Sequence, residues 1–186
     1  MSFGYRRSGS RHDVKAKDIV ATDPKWLKAA QAKIGTREAA GPANSQTILS
    51  WAKRLGTRVL GMVYNADSVP WCGVFVAFCL REDDIAPAAI AVRATSWMTW
   101  GQALRPERLA PGAILVFERP AGGHVGFYVG EDATAYHVLG GNQGDAVTIA
   151  RVAKDRCVAQ RWPLGRPVIG KPVRMAARKP ISVDEA

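Results

Sequence analysis

The most apolar stretch of this 186-residue chain spans residues 68–80 and carries a cysteine near its start. Pro70 stands directly before Trp71, and proline fixes φ at a value that suits the first turn of a helix, so we expect a helix to begin at Pro70 or Trp71. Residues 74–80 are apolar on every side, which is typical of a helix buried through the middle of a domain. This stretch therefore predicts a central helix around which the rest of the chain packs.

Cys72 falls in the first turn of that predicted helix. There the unpaired backbone N–H groups and the positive end of the helix dipole favour a thiolate over a thiol. Gly73 keeps the turn narrow, so that another chain can approach the sulfur. Two interpretations follow: a nucleophile on a rigid helix, or an inert core cysteine, since free cysteines are among the most buried residues. For Cys79, about two helical turns further on, we expect buried packing.

The composition is that of an ordinary globular protein, with 47% hydrophobic and 23% charged residues. Nothing in the sequence approaches the roughly 20 consecutive apolar residues of a membrane span. The basic residues near the amino terminus are not followed by an apolar run, so we expect no signal peptide and synthesis in the cytoplasm. The three cysteines include no Cys-x-x-Cys pair and the three histidines are widely spaced, so neither a metal site nor another cofactor is expected.

The formal net charge of +10 belongs to the two ends of the chain. Residues 1–30 sum to +4 and residues 151–186 to +6, whereas residues 31–150 sum to zero. Basic ends favour contact with polyanions such as nucleic acid, anionic lipid or an acidic cell-wall polymer, although solvated tails without a dedicated partner are the alternative. A nucleic-acid surface would normally draw on the folded domain too, so the neutral middle argues against a specific nucleic-acid partner.

The chain divides into a basic flexible arm (residues 1–22), one domain (23–162) and a basic, proline-containing tail (163–186). Helices are predicted in the first part of the domain, at 24–34, 45–55, 70–80, 86–93 and 96–104. Strands are predicted after them, at 113–117, 124–130, 134–139, 146–150 and 158–162. Helices followed by a meandering antiparallel sheet define the α+β class.

A thiolate nucleophile needs a base, and His124 is the best candidate. It stands at the start of a predicted strand, after the Gly122-Gly123 turn. It shares one strand face with Gly126, which leaves space for a cleft, while the opposite face is apolar and belongs to the core. A surface histidine at a strand edge is the alternative.

The base needs an orienting group, for which Asn142 and His137 compete. Hairpin geometry places His124 opposite residues 139–141, which leaves Asn142 one to three residues from the facing position. His137 would face Phe127, on the order of 7–13 Å along the strand from His124. We therefore expect Asn142 to accept the imidazole N–H and fix the tautomer. A simple turn residue in Gly-Gly-Asn-Gln-Gly is the alternative.

Four short motifs follow one another along the chain: PWCGVFV at 70–76, PGAILVF at 111–117, GHVGFY at 123–128 and LGGNQ at 139–143. In this order and spacing they resemble the papain-like murein hydrolases of the NlpC and CHAP kind (CHAP denotes cysteine, histidine-dependent amidohydrolase/peptidase). The resemblance covers about residues 35–162 and is strongest to the small forms found in phages and prophages.

The resemblance implies a papain-like α+β fold in which the cysteine helix packs on the antiparallel sheet. It implies hydrolysis of a peptidoglycan amide bond, by an endopeptidase or an N-acetylmuramoyl-L-alanine amidase, with Cys72 as nucleophile, His124 as base and Asn142 as third polar residue. Many CHAP members carry a glutamate where this chain has Gly140. Members of the NlpC kind often use a second histidine, which would point to His137.

The expected partner is bacterial peptidoglycan, reached as an endolysin through a holin-type pore or as a lysin carried on a virion, where phage tail proteins become partners. Trp71, Trp97 and Tyr128 are candidates for flat apolar walls that bind glycan or stem peptide, with core packing as the alternative. A catalytically silent papain-like module of a phage tail is the competing hypothesis, against which the intact Cys72, His124 and Asn142 argue.

Overall fold

The computed structural model describes residues 23–120 and 122–185, so the predicted arm at 1–22 lies outside the described residues. Helices come first and an antiparallel sheet follows, which confirms the predicted α+β class. The α-helices are α1 (Lys25–Gln31), α2 (Gln46–Leu55), α3 (Thr57–Leu60) and α4 (Cys72–Arg81). Short 3-10 helices span Ala94–Thr99, Pro106–Arg108 and Lys154–Arg156. None of the helices among these residues is long and apolar enough to cross a membrane.

The strands are β1 (Gln102–Ala103), β2 (Ile114–Arg119), β3 (Gly122–Glu131), β4 (Ala135–Gly140), β5 (Thr148–Ala153) and β6 (Cys157–Trp162). They form one six-stranded sheet in the order β1-β6-β2-β3-β4-β5, and every neighbouring pair is antiparallel. Strands β2 to β5 meander through short turns, whereas β6 returns to pair with the outer side of β2. The central strands of the sheet are therefore β2 and β3.

Helix α4 is the central helix that the apolar run predicts. All of its residues from Cys72 to Leu80 are buried, and it packs against α1 and α2 on one side and against β3 on the other. The ring of Phe75 meets that of Phe127 edge-on at 6.0 Å between centroids, which fixes the helix on the sheet. The helix begins at Cys72, slightly later than expected, with Trp71 as its N-cap.

The two short helices predicted at 86–93 and 96–104 are wrong in detail. Residues 86–88 are irregular, turns span 89–92, and a 3-10 helix spans Ala94–Thr99 instead. The reason is close packing: a Cβ at Gly73 would lie 2.1 Å from the carbonyl oxygen of Ala91, so this segment runs directly over the first turn of α4. The indole N–H of Trp97 donates to the same carbonyl at 3.0 Å and anchors the turn there.

Residues 173–185, which we call the return segment, lie along the sheet. The N–H of Val173 donates to the Tyr128 hydroxyl at 3.0 Å, and the N–H of Ser182 donates to the carbonyl of Arg151 at 2.7 Å. Further along, the carbonyl of Asp184 accepts the N–H of Gly144 at 3.0 Å. The segment therefore runs from the β3–β4 turn along β5 to the loop that follows β4.

Candidate active site

Cys72 is the first residue of α4, and only 2% of its surface is exposed. Its thiol lies against the backbone N–H of Val125, the residue that follows His124 on β3. Burial raises the pKa of this thiol, and the nearby N–H groups and Arg119 do not outweigh it. The expectation that the helix terminus favours a thiolate is therefore wrong, because desolvation is the larger effect.

His124 is completely buried on β3 and stands opposite Phe117 of β2. The two rings stack at 6.3 Å between centroids with an interplanar angle of 29°. Burial lowers the pKa of His124 to about 4, since a charged imidazolium would lose its hydration. The ring is therefore neutral at physiological pH, which is the state that can accept a proton.

The partner of the His124 ring is Gln143. Its side-chain oxygen Oε1 lies 3.0 Å from His124 Nε2. The orientation of the amide is fixed because its nitrogen donates to the carbonyl of Thr148 at 2.6 Å and to that of Val138 at 3.3 Å. An amide oxygen can only accept, so His124 Nε2 carries the proton and Nδ1 holds the lone pair. Among residues 23–120 and 122–185, no hydrogen-bond partner faces His124 Nδ1.

The sequence predicts this hydrogen bond for Asn142, but in the structure Gln143, the next residue, forms it. Phe127 pairs with Leu139, and continuing this register sets residue 142 level with His124. The predicted facing positions, residues 139–141 for His124 and Phe127 for His137, are therefore wrong, because the turn lies between Glu131 and Tyr136, later in the chain than expected. Asn142 itself takes the left-handed conformation, with φ of 58°, which asparagine tolerates better than most residues. The bend that results brings the side chain of Gln143 to the ring.

Gly140 allows the side chain of Gln143 to approach the His124 ring closely. A Cβ at this position would lie 2.6 Å from Gln143 Oε1 and 3.0 Å from His124 Nε2. A glutamate here, as in many CHAP members, would occupy the volume that the Gln143 side chain fills. The sequence signal for Gln143 is thus the combination of Gly140 with an asparagine that can turn the chain.

His137, the other predicted orienter, belongs to a different cluster. It pairs with Gly130 across a bulge, and its Nε2 lies 2.9 Å from Asp132 Oδ2. Arg151 contacts the same carboxylate at 2.8 Å and holds the pKa of Asp132 well below its usual range. Gly130 is six residues beyond His124 on β3, or about 20 Å along the strand. The cluster ties β4 and β5 to the turn between β3 and β4.

The three predicted aromatic walls are core residues. Trp71, Trp97 and Tyr128 are all completely buried. The indole of Trp71 donates to Glu38 at 2.7 Å, and Tyr128 accepts from the return segment. Because no part of these rings reaches the surface, the prediction that they line a substrate groove does not hold for this conformation.

Glu185 of the return segment lies close enough to His124 for its charge to affect that ring, which the sequence did not indicate. It is 1% exposed, and its Oε2 accepts from Arg156 Nη2 at 2.8 Å. Arg119, the last residue of β2, donates to its backbone carbonyl. The negative charge of Glu185 raises the pKa of His124, whereas the positive charges of Arg119 and Arg156 lower it. The charge of Arg119 also lowers the pKa of the Cys72 thiol.

No family model and no curated protein matches this chain. Within the described part of the chain, no group of three or more histidine, cysteine, aspartate or glutamate residues is placed to hold a metal ion. The candidate site is therefore defined by its own geometry: a thiol at a helix start, an imidazole on the adjacent strand and an amide that orients it.

Proposed function

We propose that this protein is a papain-like cysteine hydrolase that cleaves an amide bond of bacterial peptidoglycan. The observation that carries the proposal is the hydrogen bond between His124 and Gln143, which leaves Nδ1 of the ring unprotonated. The thiol of Cys72 meets the N–H of Val125, the residue next to His124, so a fixed imidazole and a thiol at a helix start lie on adjacent elements, as nucleophilic acyl transfer requires. We assign Cys72 as nucleophile, His124 as base and Gln143 as the positioning residue.

In the proposed reaction, His124 Nδ1 takes the proton of the Cys72 thiol as the sulfur attacks the carbonyl carbon of the amide. The tetrahedral oxyanion lies within reach of the backbone N–H groups at the start of α4. Collapse breaks the C–N bond, and the imidazolium returns its proton to the leaving amine. Water, deprotonated by His124, then attacks the thioester and releases the carboxylic acid and the thiol.

Peptidoglycan is proposed as substrate because of the ordered motif set and the charge of the chain. Residues 151–186 are strongly basic, and cell-wall polymers carry carboxylates and phosphates. Both an endopeptidase and an N-acetylmuramoyl-L-alanine amidase fit this chemistry. Action after release through a holin-type pore and action as part of a virion are equally consistent with it.

Zymography on purified peptidoglycan tests the proposal with wild-type protein and the Cys72→Ala variant. We expect clearing by the wild type and none by Cys72→Ala, while Cys79→Ala keeps activity because Cys79 is a packing residue of the same helix. Mass spectrometry of the released fragments then identifies the bond. Clearing that persists in Cys72→Ala would overturn the thiol mechanism.

A catalytically silent papain-like module is the second candidate, favoured by one observation. Both reacting groups are buried, and burial keeps the thiol and the imidazole neutral. A module of this kind would bind peptidoglycan in a pull-down without releasing fragments. Absence of fragments from several wall types, also with the Glu185→Gln variant described below, would decide for it.

A further inference from the structure

Two arginines hold the buried Glu185, Arg156 at its carboxylate and Arg119 at its backbone carbonyl. Arg156 meets it with two nitrogens, Nη2 to Oε2 at 2.8 Å and Nη1 to Oε1 at 3.4 Å, in the forked geometry that guanidinium groups use to bind carboxylates. Arg119 donates to the backbone carbonyl of the same residue. A carboxylate that is 1% exposed requires such compensation, because burial of an unpaired charge is costly.

Each arginine also has a contact with the sheet that does not involve Glu185. Arg119 belongs to β2, where it pairs with Gly122 of β3, and Arg156 Nε donates to the carbonyl of Glu118 at 3.2 Å. If Glu185 leaves, both cations therefore stay near the start of β3, where His124 lies. A second anion could then bind in the same place.

The return segment reaches this place along a path that suits a bound peptide. Its backbone is anchored at Ser182 to Arg151 of β5 and at Asp184 to Gly144, the residue that follows Gln143. From there Glu185 comes close enough to His124 for its charge to act on the ring. The segment thus passes the loop that carries Gln143 and brings Glu185 near His124.

We propose that residues 182–185 occupy the substrate cleft of the enzyme, and that Arg156 forms a subsite for a carboxylate of the peptide substrate while Arg119 binds the adjoining backbone carbonyl. Glu185 stands in for that carboxylate and competes with it. The inference rests on the proposed function, since it places a substrate at Cys72 and His124. It adds the chemical class of the substrate, a peptide with an acidic group near the cleaved bond, and a resident competitor.

Alkylation of Cys72 tests the competitor without any need for turnover. Full-length protein is treated with iodoacetamide, and labelling of each cysteine is followed by peptide mapping. We expect Glu185→Gln to raise the Cys72 rate about tenfold, because a charge-assisted hydrogen bond is lost and the segment opens more often. Arg156→Gln, which removes the other partner, should do the same.

Asp184→Asn is the matched control. It removes the same charge one position earlier, from an exposed side chain, so Cys72 labelling should stay at the wild-type rate. Cys79, completely buried in the core, reports general unfolding and should stay unlabelled throughout. Equal Cys72 rates in the wild type, Glu185→Gln and Arg156→Gln would overturn the proposal.

The subsite itself is tested by adding peptides to the Glu185→Gln protein. N-acetyl-Ser-Val-Asp-Glu-amide should slow Cys72 labelling, whereas N-acetyl-Ser-Val-Asp-Gln-amide at the same concentration should not. Identical effects of the two peptides would overturn the carboxylate subsite. This result is independent of peptidoglycan: protection with no release of wall fragments would reject the proposed substrate and keep the subsite.

Discussion

His124 Nε2 donates to Gln143 Oε1 at 3.0 Å across 19 positions of sequence. The amide nitrogen of Gln143 is held in turn by two carbonyl groups, so the oxygen cannot rotate away. This fixes the tautomer of the imidazole and assigns the task of proton transfer to Nδ1. The relationship makes Gln143, rather than its neighbour, the residue whose loss should disturb the base.

Gln143→Ala is expected to lower the rate of peptidoglycan hydrolysis about 10- to 100-fold, because the wrong tautomer and ring orientation then become populated. Gln143→Glu should move the acidic limb of the pH–rate profile to higher pH, since a carboxylate beside the ring favours the imidazolium. Rates measured on solubilised peptidoglycan at several pH values check both effects. If Asn142→Ala abolishes hydrolysis and Gln143→Ala does not, the motif-based assignment is right instead.

His137→Ala is expected to weaken the fold and leave the chemistry unchanged. The variant removes one of three side chains that bind the buried Asp132 carboxylate, the others being Thr134 and Arg151, so the free energy of unfolding should fall by about 1–3 kcal/mol. Urea denaturation gives that change, and the hydrolysis rate per folded molecule should match the wild type. Loss of turnover at unchanged stability would instead give His137 the role that its counterpart has in enzymes of the NlpC kind.

Gly140→Ala is expected to separate the base from its positioning residue, because the new methyl group would lie 2.6 Å from Gln143 Oε1. Gly126→Ala is the matched control, since its methyl group would meet Val138 Cγ1 at 2.5 Å and the Leu139 carbonyl oxygen at 3.1 Å instead. Both variants should lose stability by about 1–3 kcal/mol from overpacking. Only Gly140→Ala should also lose turnover per folded molecule, and equal turnover in the two would contradict the assignment.

The stability of the protein should fall when the pH is lowered from about 6.5 to about 4, the range set by the unfolded and folded pKa of His124. Burial depresses the folded pKa, so the unfolded chain binds the proton more strongly and acid favours unfolding. The loss contributed by this one group is at most about 3 kcal/mol. Chemical denaturation at pH 7 and pH 4.5 measures it.

The variant His124→Gln separates this effect from other titrations. Glu38, whose pKa is raised by burial, acts in the opposite direction, because its contribution to stability is lost as the pH rises. Both proteins retain that carboxyl group, so it cancels in the comparison. An equal pH dependence in wild type and His124→Gln would show that the ring is not buried in solution.

The sequence predicts the elements that depend on local patterns. The apolar run gives α4, the alternating strands give the α+β class, and hairpin register brings the loop after β4 to His124. What it misses depends on contacts between distant residues. The left-handed bend at Asn142 places the side-chain amide of Gln143, rather than that of Asn142, beside His124. The packing of residues 86–93 over Gly73 leaves no helix where one was predicted. The effect of burial on the pKa of the Cys72 thiol outweighs that of the helix dipole, and only the folded structure shows how completely this side chain is buried.

The return segment has a consequence for how molecules of this protein meet one another. Strand β5 is the last strand of the sheet, and an uncovered last strand pairs readily with a strand of another molecule. Ile181 lies beside Arg151 on that strand, and the N–H of Ser182 donates to the Arg151 carbonyl. If the segment lifts as proposed, Cys72 and the unpaired edge of β5 become accessible together, so a preparation with faster Cys72 labelling should also be the one that precipitates first on concentration.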